Sequence, residues 1–430
     1  MKLIPRVLLA FLIMVRAASA QETMNWDQCV NTAVLNNPDL TASRESARSY
    51  DAKRRGSNSG YLPQVTASGG ATYNHNSGGQ QSMESSSLAS SATSFGTNSS
   101  LHQYTAGVTL SQTLYDGGLT PGNVAQTGAN YRAQVAALAV EKSLLSYDLK
   151  SAFAQLLYAQ ELVTLTSQIV DRRRSDANLI RLKYEGGREN KGAYLLAESD
   201  YKKAVLDLHN AERNVLVSEH QLAQIMGIKR VHPIVASGEL VTRMASASPD
   251  FDKLATETPT HFQQVSNTEA ARAGITIARS GFLPSVTTNV SADRDYPDTS
   301  SWSTGITVSV PIFDGGKSYF NVKAADASLR QSLANLQSSD DLSVYTLVQT
   351  HSTLLGDIEA VSVNQATVDA QNVRSEIGKG QYSDGLISFT DFNLIENDLV
   401  TAQKQQLQSR RDAMIAEANW EYAQGKGAIP

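Results

Sequence analysis

Cysteine is almost missing: Cys29 is the only one in 430 residues. No intramolecular disulfide can staple the chain, and a small buried thiol fits this position better than a reactive one. Long apolar runs are equally scarce. Beyond the N-terminal segment nothing reaches the roughly 18 residues of a membrane helix, so any crossing of a bilayer must be made by strands. Charge of one sign does not accumulate: 37 Lys and Arg against 42 Asp and Glu leave a net charge of −5, with signs interspersed, which argues against a nucleic-acid partner. The seven histidines show no His-x-x-x-His pairing, so a metal site is unsupported. There is no Gly-x-Ser-x-Gly elbow or clustered acid pair, and nothing points to an enzyme or a cofactor.

Lys2 and Arg6 precede the apolar run Val7–Val15, interrupted only afterwards by Arg16, and Ala18-Ser19-Ala20 offers a small-residue cleavage site. This is the pattern of a secretory signal peptide over residues 1–20. No cysteine follows the cut directly, so the chain is not an obvious lipoprotein.

What is present is a sequence written twice. Leu114–Gly227 maps without a gap onto Ile312–Gly425 at an offset of 198. Asp116-Gly117-Gly118 falls on Asp314-Gly315-Gly316, Tyr184 on Tyr382 and Gly187 on Gly385. Upstream, Pro38 and Pro63 match Pro259 and Pro284 at an offset of 221, so 23 residues are inserted in the first copy. The insertion lies in Asn74–Gln103, a Ser/Gly/Asn-rich segment that reads as a long flexible loop. The layout predicts a first repeat over 21–227, a linker over 228–255 and a second repeat over 256–430, without a Pro-rich or charged spacer between them.

Two periodicities alternate within each copy. Leu145, Leu149, Ala152, Leu156, Ala159 and Val163 step by 4 and 3, a heptad-like seam, and their images Ser343, Leu347, Thr350, Leu354, Asp357 and Val361 repeat it in more polar form. With so little apolar surface, these helices suit a thin wall wetted on both sides. The first long helix, from about Asn123 to Tyr184, measures about 90 Å. It stops at Gly186-Gly187 and returns through about 36 residues, and Pro38–Gly60 makes up the missing length. The second copy does the same. The other period is 2, in strands predicted over 61–73, 104–114, 282–293 and 302–313. Each is of a length suited to crossing a bilayer, and aromatics mark the ends: Tyr61, Tyr115, Phe282 and Phe313 at one level, Tyr73, Tyr104 and Trp302 at the other. Half-buried hairpins in a soluble domain would show the same alternation.

A membrane sheet cannot leave an edge in lipid, and four strands cannot close. The missing strands must come from other copies: two chains would give eight strands with a filled interior, and three would give twelve with room for a conduit.

The ordered set of Asn36-Asn37-Pro38, the Gly-Tyr/Phe-Leu-Pro lead-ins at Gly60 and Gly281, the Tyr/Phe-Asp-Gly-Gly strand exits and the Tyr-x-x-Gly turns at Tyr184 and Tyr382 resembles the TolC-like outer membrane factors. No single motif is specific, but their order and duplication cover the mature chain. The resemblance implies an α+β membrane protein of the Gram-negative outer membrane. It would be a homotrimer with a twelve-stranded β-barrel, four strands per chain, continued by a twelve-helix periplasmic α-barrel. It also implies a passive exit duct of a tripartite efflux pump or type I secretion system, partnered by a periplasmic adaptor and an inner-membrane transporter of RND, ABC or MFS type. A soluble periplasmic coiled-coil scaffold or adaptor is the competing reading.

In such ducts the helical hairpins pinch the periplasmic end shut. The position resembling the family's first ring aspartate is Asp391; the second falls on Leu394, and neither Glu396 nor Asp398 can be placed from spacing alone. At the first hairpin the place where relatives carry an aspartate is Ala193, so the usual lock to Tyr382 needs a substitute, for which Arg188, Glu189 and Lys191 are at hand. Gly186, Gly187 and Gly385 form the turns. Asp391 also reads simply as an N-terminal helix residue favoured by the macrodipole. Asp314-Gly-Gly-Lys-Ser318 looks like a phosphate loop, but Pro311 stands at the required first glycine, and a strand-to-helix turn is the better reading.

Overall fold

The computed structural model describes residues 22–75, 100–229, 233–242, 249–296 and 299–430. The segment predicted to be a signal peptide and most of the serine-rich segment predicted to be a loop lie outside the described residues. In chain order the elements are β1 (Glu22–Met24), α1 (Trp26–Asn36), α2 (Pro38–Ser57), β2 (Gln64–His75), β3 (Ser100–Tyr115), α3 (Leu119–Glu185), α4 (Lys191–Ile225), β4 (Ile234–Ala236), α5 (Phe251–Thr256), α6 (Pro259–Ser280), β5 (Ser285–Tyr296), β6 (Thr299–Ser309), α7 (Lys317–Asp384) and α8 (Phe389–Ala423). They divide into a unit of residues 48–134 and 264–336 and a second unit of residues 1–47, 135–263 and 337–430.

The first unit carries an antiparallel sheet in the order β2-β3-β5-β6. Register sorts the side chains onto two faces: Ala67, Val108, Ala292 and Trp302 make one row, and Thr66, Thr109, Ser291 and Ser303 belong to the other face. On the apolar face large side chains stay open to solvent among the described residues; Trp302 is 77% exposed and Ile306 69%. At roughly 25 cal/mol per Å², such a surface is strongly unfavourable in water. Among the described residues β2 and β6 are free edges.

Strand ends differ from the predicted windows because pairing, not composition, sets them. β2 continues to His75 against Ser100. β6 stops at Ser309, opposite the first residue of β5, so Val310–Phe313 have no partner strand among the described residues, and Pro311 has no N–H to offer one. Tyr61 accordingly sits in a short 3-10 turn, and Phe282 and Phe313 lie outside the strands. The helices begin at matching aspartates: Asp116 accepts from the backbone N–H of Gly118 and Thr120 at 3.1 and 2.7 Å, and Asp314 from those of Gly316 and Ser318 at 3.0 and 2.8 Å. Both glycine-rich stretches are thus strand-to-helix turns capped by their own carboxylate.

The second unit is helical. The α3 seam of Leu145, Leu149, Ala152, Leu156 and Ala159 is buried, and its leucines and Ala152 pack in a core with Leu40, Leu222, Met226, Leu407 and Met414. On α7 only Leu347, Thr350 and Leu354 of the matching seam are fully covered. α2 starts where Asn37 accepts from Leu40 N–H at 2.8 Å while its amide donates to Ile225 O at 2.9 Å. Pro38 follows at the first helical position, where its missing N–H does no harm. The linker contributes β4, which pairs in parallel with β1. Cys29 is fully buried, and burial pushes its thiol up to about 11. No described helix is long and apolar enough to cross a membrane.

Candidate functional site: the two hairpin tips

Each hairpin turns through the same device. At the first, Gly187 N–H donates to Tyr184 O at 2.9 Å and Arg188 N–H to Lys183 O at 2.8 Å; at the second, Gly385 N–H reaches Tyr382 O at 3.2 Å and Leu386 N–H reaches Gln381 O at 2.8 Å. These are Schellman closures, which need a left-handed residue after the helix, and Gly187 and Gly385 supply it with φ of 72° and 80°. The returning helices are capped at equivalent places. Asn190 accepts from Ala193 N–H at 2.9 Å, and Ser388 accepts from Asp391 N–H at 3.2 Å. Asp391 reciprocates, its carboxylate accepting from the Ser388 N–H at 3.3 Å and hydroxyl at 2.7 Å, so the second tip has a full capping box. The exposed residue expected at an acidic ring is therefore also a local structural brace.

An aromatic pair closes each tip. Tyr184 stacks on Tyr194 with centroids 5.6 Å apart, and Tyr382 on Phe392 at 4.9 Å, both pairs within 4° of parallel. Only the second pair is buried. Tyr382 is 2% exposed and clusters with Ile180, Ala193, Ala197 and Phe392. Three further contacts join the hairpins there: Tyr382 Oη donates to Glu189 Oε2 at 3.0 Å, Lys183 Nζ lies 4.2 Å from the Tyr382 ring centre, and the same ammonium donates to the carbonyls of Tyr382 and Ser383. Burial, and then the Glu189 carboxylate, push the Tyr382 hydroxyl above the ordinary phenol range, so it stays a donor. Of the substitutes named for the missing aspartate, Glu189 makes the contact. Arg188 and Lys191 are exposed and make no side-chain hydrogen bond or ion pair among the described residues. Ala193 is 5% exposed in the apolar cluster. Lys183 was not singled out from the sequence, because its partner lies in the other repeat.

About three turns back from the tips lies a charged cluster that sequence spacing also missed. Asp176 and Glu396 are 4% and 1% exposed, with Arg172 and Arg173 on α3 and Lys379 on α7 around them. Elsewhere, a cleft of about 420 Å³ lined by Trp26, Lys150, Met414, Glu417 and Glu421 holds no nucleophile–histidine pair, its lysine being engaged by the two glutamates at 3.3–3.4 Å. No group of three or more potential metal ligands occurs among the described residues.

A family profile described as outer membrane efflux protein matches residues 29–228 and 263–425. The outer membrane efflux protein BepC of Brucella suis is 22% identical over 419 residues, 95% of this chain and 87% of its own. Among solved structures, CusC superposes with a TM-score of 0.81 at 16% identity, covering 93% of this chain and 92% of that one. VceC of Vibrio cholerae gives 0.77 at 14% identity, with 93% and 96% covered. The fold is that of the TolC-like channels. The chain belongs to the outer membrane efflux protein family, whose members are channels of the outer membrane reaching into the periplasm.

Proposed function

We propose that three copies of this chain assemble into an exit duct in which each contributes four strands to a closed barrel. Its periplasmic hairpins form a gate, and export is passive. The observation that carries the reading is the open sheet: among the described residues its apolar side chains such as Trp302 and Ile306 are exposed, and it is bounded by two edges whose backbone groups would be unsatisfied in lipid. Twelve strands leave a conduit where eight would be filled by side chains. The aromatics Tyr61, Tyr115, Phe282, Phe313 and Trp302, all about half or more exposed in the single chain, then sit at the lipid interfaces.

In this reading Tyr382, held by Glu189 and Lys183, keeps the two hairpins of one chain together, and opening requires that contact to break. Asp391, repeated around a threefold axis, disfavours anions at the narrowest point. The transporter and adaptor that engage the hairpins belong to an efflux pump of RND, ABC or MFS type or to a type I secretion system, and they set the cargo. The test is the mass of the detergent-solubilised protein together with planar-bilayer recording. A trimer with discrete conductance steps is expected; a monodisperse monomer without conductance overturns the reading. Asp391→Ala should raise conductance or weaken cation preference, and identical currents would remove Asp391 from the gate.

A further inference from the structure

The charged cluster around Asp176 has a pairing defect. Arg173 lies beside Asp176, yet its guanidinium donates to Asn393 at 3.3 Å and Asn397 at 2.5 Å, both neutral amides on α8. Arg172 donates to Gln403 at 2.8 Å, and its Nε has no hydrogen-bond partner, standing 3.8 Å from Glu396. Lys379 Nζ, on α7, stops at 3.7 Å from Asp176 Oδ1, beyond hydrogen-bond reach. Glu396, on α8, has one oxygen taken by the Ser375 hydroxyl and the other without a donor. Both oxygens of Asp176 are buried and accept no hydrogen bond. The charged groups acting on Asp176 are thus Arg172 and Arg173 from its own helix, Lys379 from α7 and Glu396 from α8.

A buried carboxylate without donors is costly, and three nearby cations leave no electrostatic demand for a metal ion. What the site lacks is a donor, and a proton on Asp176 supplies one. We propose that Asp176 is a proton-operated switch: its neutral form holds α3, α7 and α8 packed behind the hairpin tips, and its ionisation lets them part.

The sign follows from burial. Desolvation is the largest influence on Asp176, with Glu396 next in the same direction, and together they raise it from an ordinary 3.8 to about 6 against the three cations. The packed arrangement therefore binds the proton about a hundredfold more tightly than an exposed aspartate does. That preference is fully present below pH 3.8 and is lost as pH rises through about 6. Acid keeps the helices packed; neutral pH loosens them. The consequence for transport rests on the duct reading, whereas the packing transition does not.

Hydrogen exchange of the full chain in lipid tests it, read on peptides covering residues 170–180 and 372–384 and corrected for the intrinsic rate at each pH. Protection should fall about tenfold between about pH 5 and about pH 7.5 in the wild type. Asp176→Asn, an isosteric neutral mimic, should stay protected and flat across the range. Lys379→Met removes one of the cations that favour ionisation and should move the midpoint upward. An Asp176→Asn chain that keeps the wild-type response, or wild-type protection that rises with pH, overturns the switch. Failure of the chain to conduct at any pH would overturn the duct reading instead, leaving the exchange result to stand alone.

Discussion

The two hairpin tips are built from the same backbone and differ in what they bury. Both end in a Schellman glycine, both restart with a polar cap, and both stack two aromatics at positions 198 apart. Yet Tyr184 and Tyr194 remain half-exposed, while Tyr382 is sealed under Glu189 and Lys183. The third residue of the returning helix shows why: at the first tip it is Ala193, small enough to pack in the cluster with Tyr382, and at the second it is Asp391, which turns outward to brace its own cap. Duplication has kept the turn and divided the labour, so that one tip offers a socket and the other a plug.

Removing the plug should have the largest effect. Tyr382→Ala is expected to destabilise the tips by about 3–5 kcal/mol, as for a buried aromatic, and Tyr184→Ala by about 1 kcal/mol or less; exchange protection of the tip amides distinguishes them. Equal losses would end the asymmetry. Next comes the contact across the hairpins: Glu189→Ala leaves the Tyr382 hydroxyl buried without an acceptor, for about 1–3 kcal/mol, and should increase the open fraction in bilayer recordings. Tyr382→Phe, which deletes the donor as well, should cost less. The caps follow, with Ser388→Ala losing more than Asn190→Ala around a mean of about 1 kcal/mol, since the former breaks a reciprocal box; helix protection just after each turn reports this. The smallest change is expected for Arg188→Ala with Lys191→Ala, within about 0.5 kcal/mol and without altered conductance, because both side chains are free in solvent.

Much of this was legible in the chain itself. The repeat at 198 located both turns, because a residue free to be left-handed after one helix and a polar cap before the next are local requirements, met by Gly187 and Gly385 and by Asn190 and Ser388. Alternation gave the two faces of each strand. Strand ends were not legible, since β6 stops where β5 begins rather than where its apolar alternation fades at Ile312. The pairing of β1 with β4 joins three-residue segments about 210 positions apart, too short to carry a period. At the tips, Tyr382 and Gly385 followed from motif, but the hand that holds Tyr382 comes from Lys183 and Glu189, about 200 residues away. Asp176 was hidden for a different reason. Arg172 and Arg173 stand near it on its own helix, and only their contacts with Gln403, Asn393 and Asn397 on α8 show that their guanidiniums are engaged elsewhere.

The stapled turns have a mechanical consequence. A hairpin whose tip is closed by backbone hydrogen bonds, a cap and an aromatic stack cannot fray when pulled, so force applied there passes into the shafts as torque. The stretch of α3 below residue 134 is a lever of about 75 Å, on which a tilt of about 4° carries the tip through about 5 Å. Displacing Gly187 or Gly385 therefore takes only a small rotation at the far end of the lever. The resistance it meets is set by the packing between shafts, the α3 leucine seam against Leu222 and Leu407 included, rather than by the turns themselves.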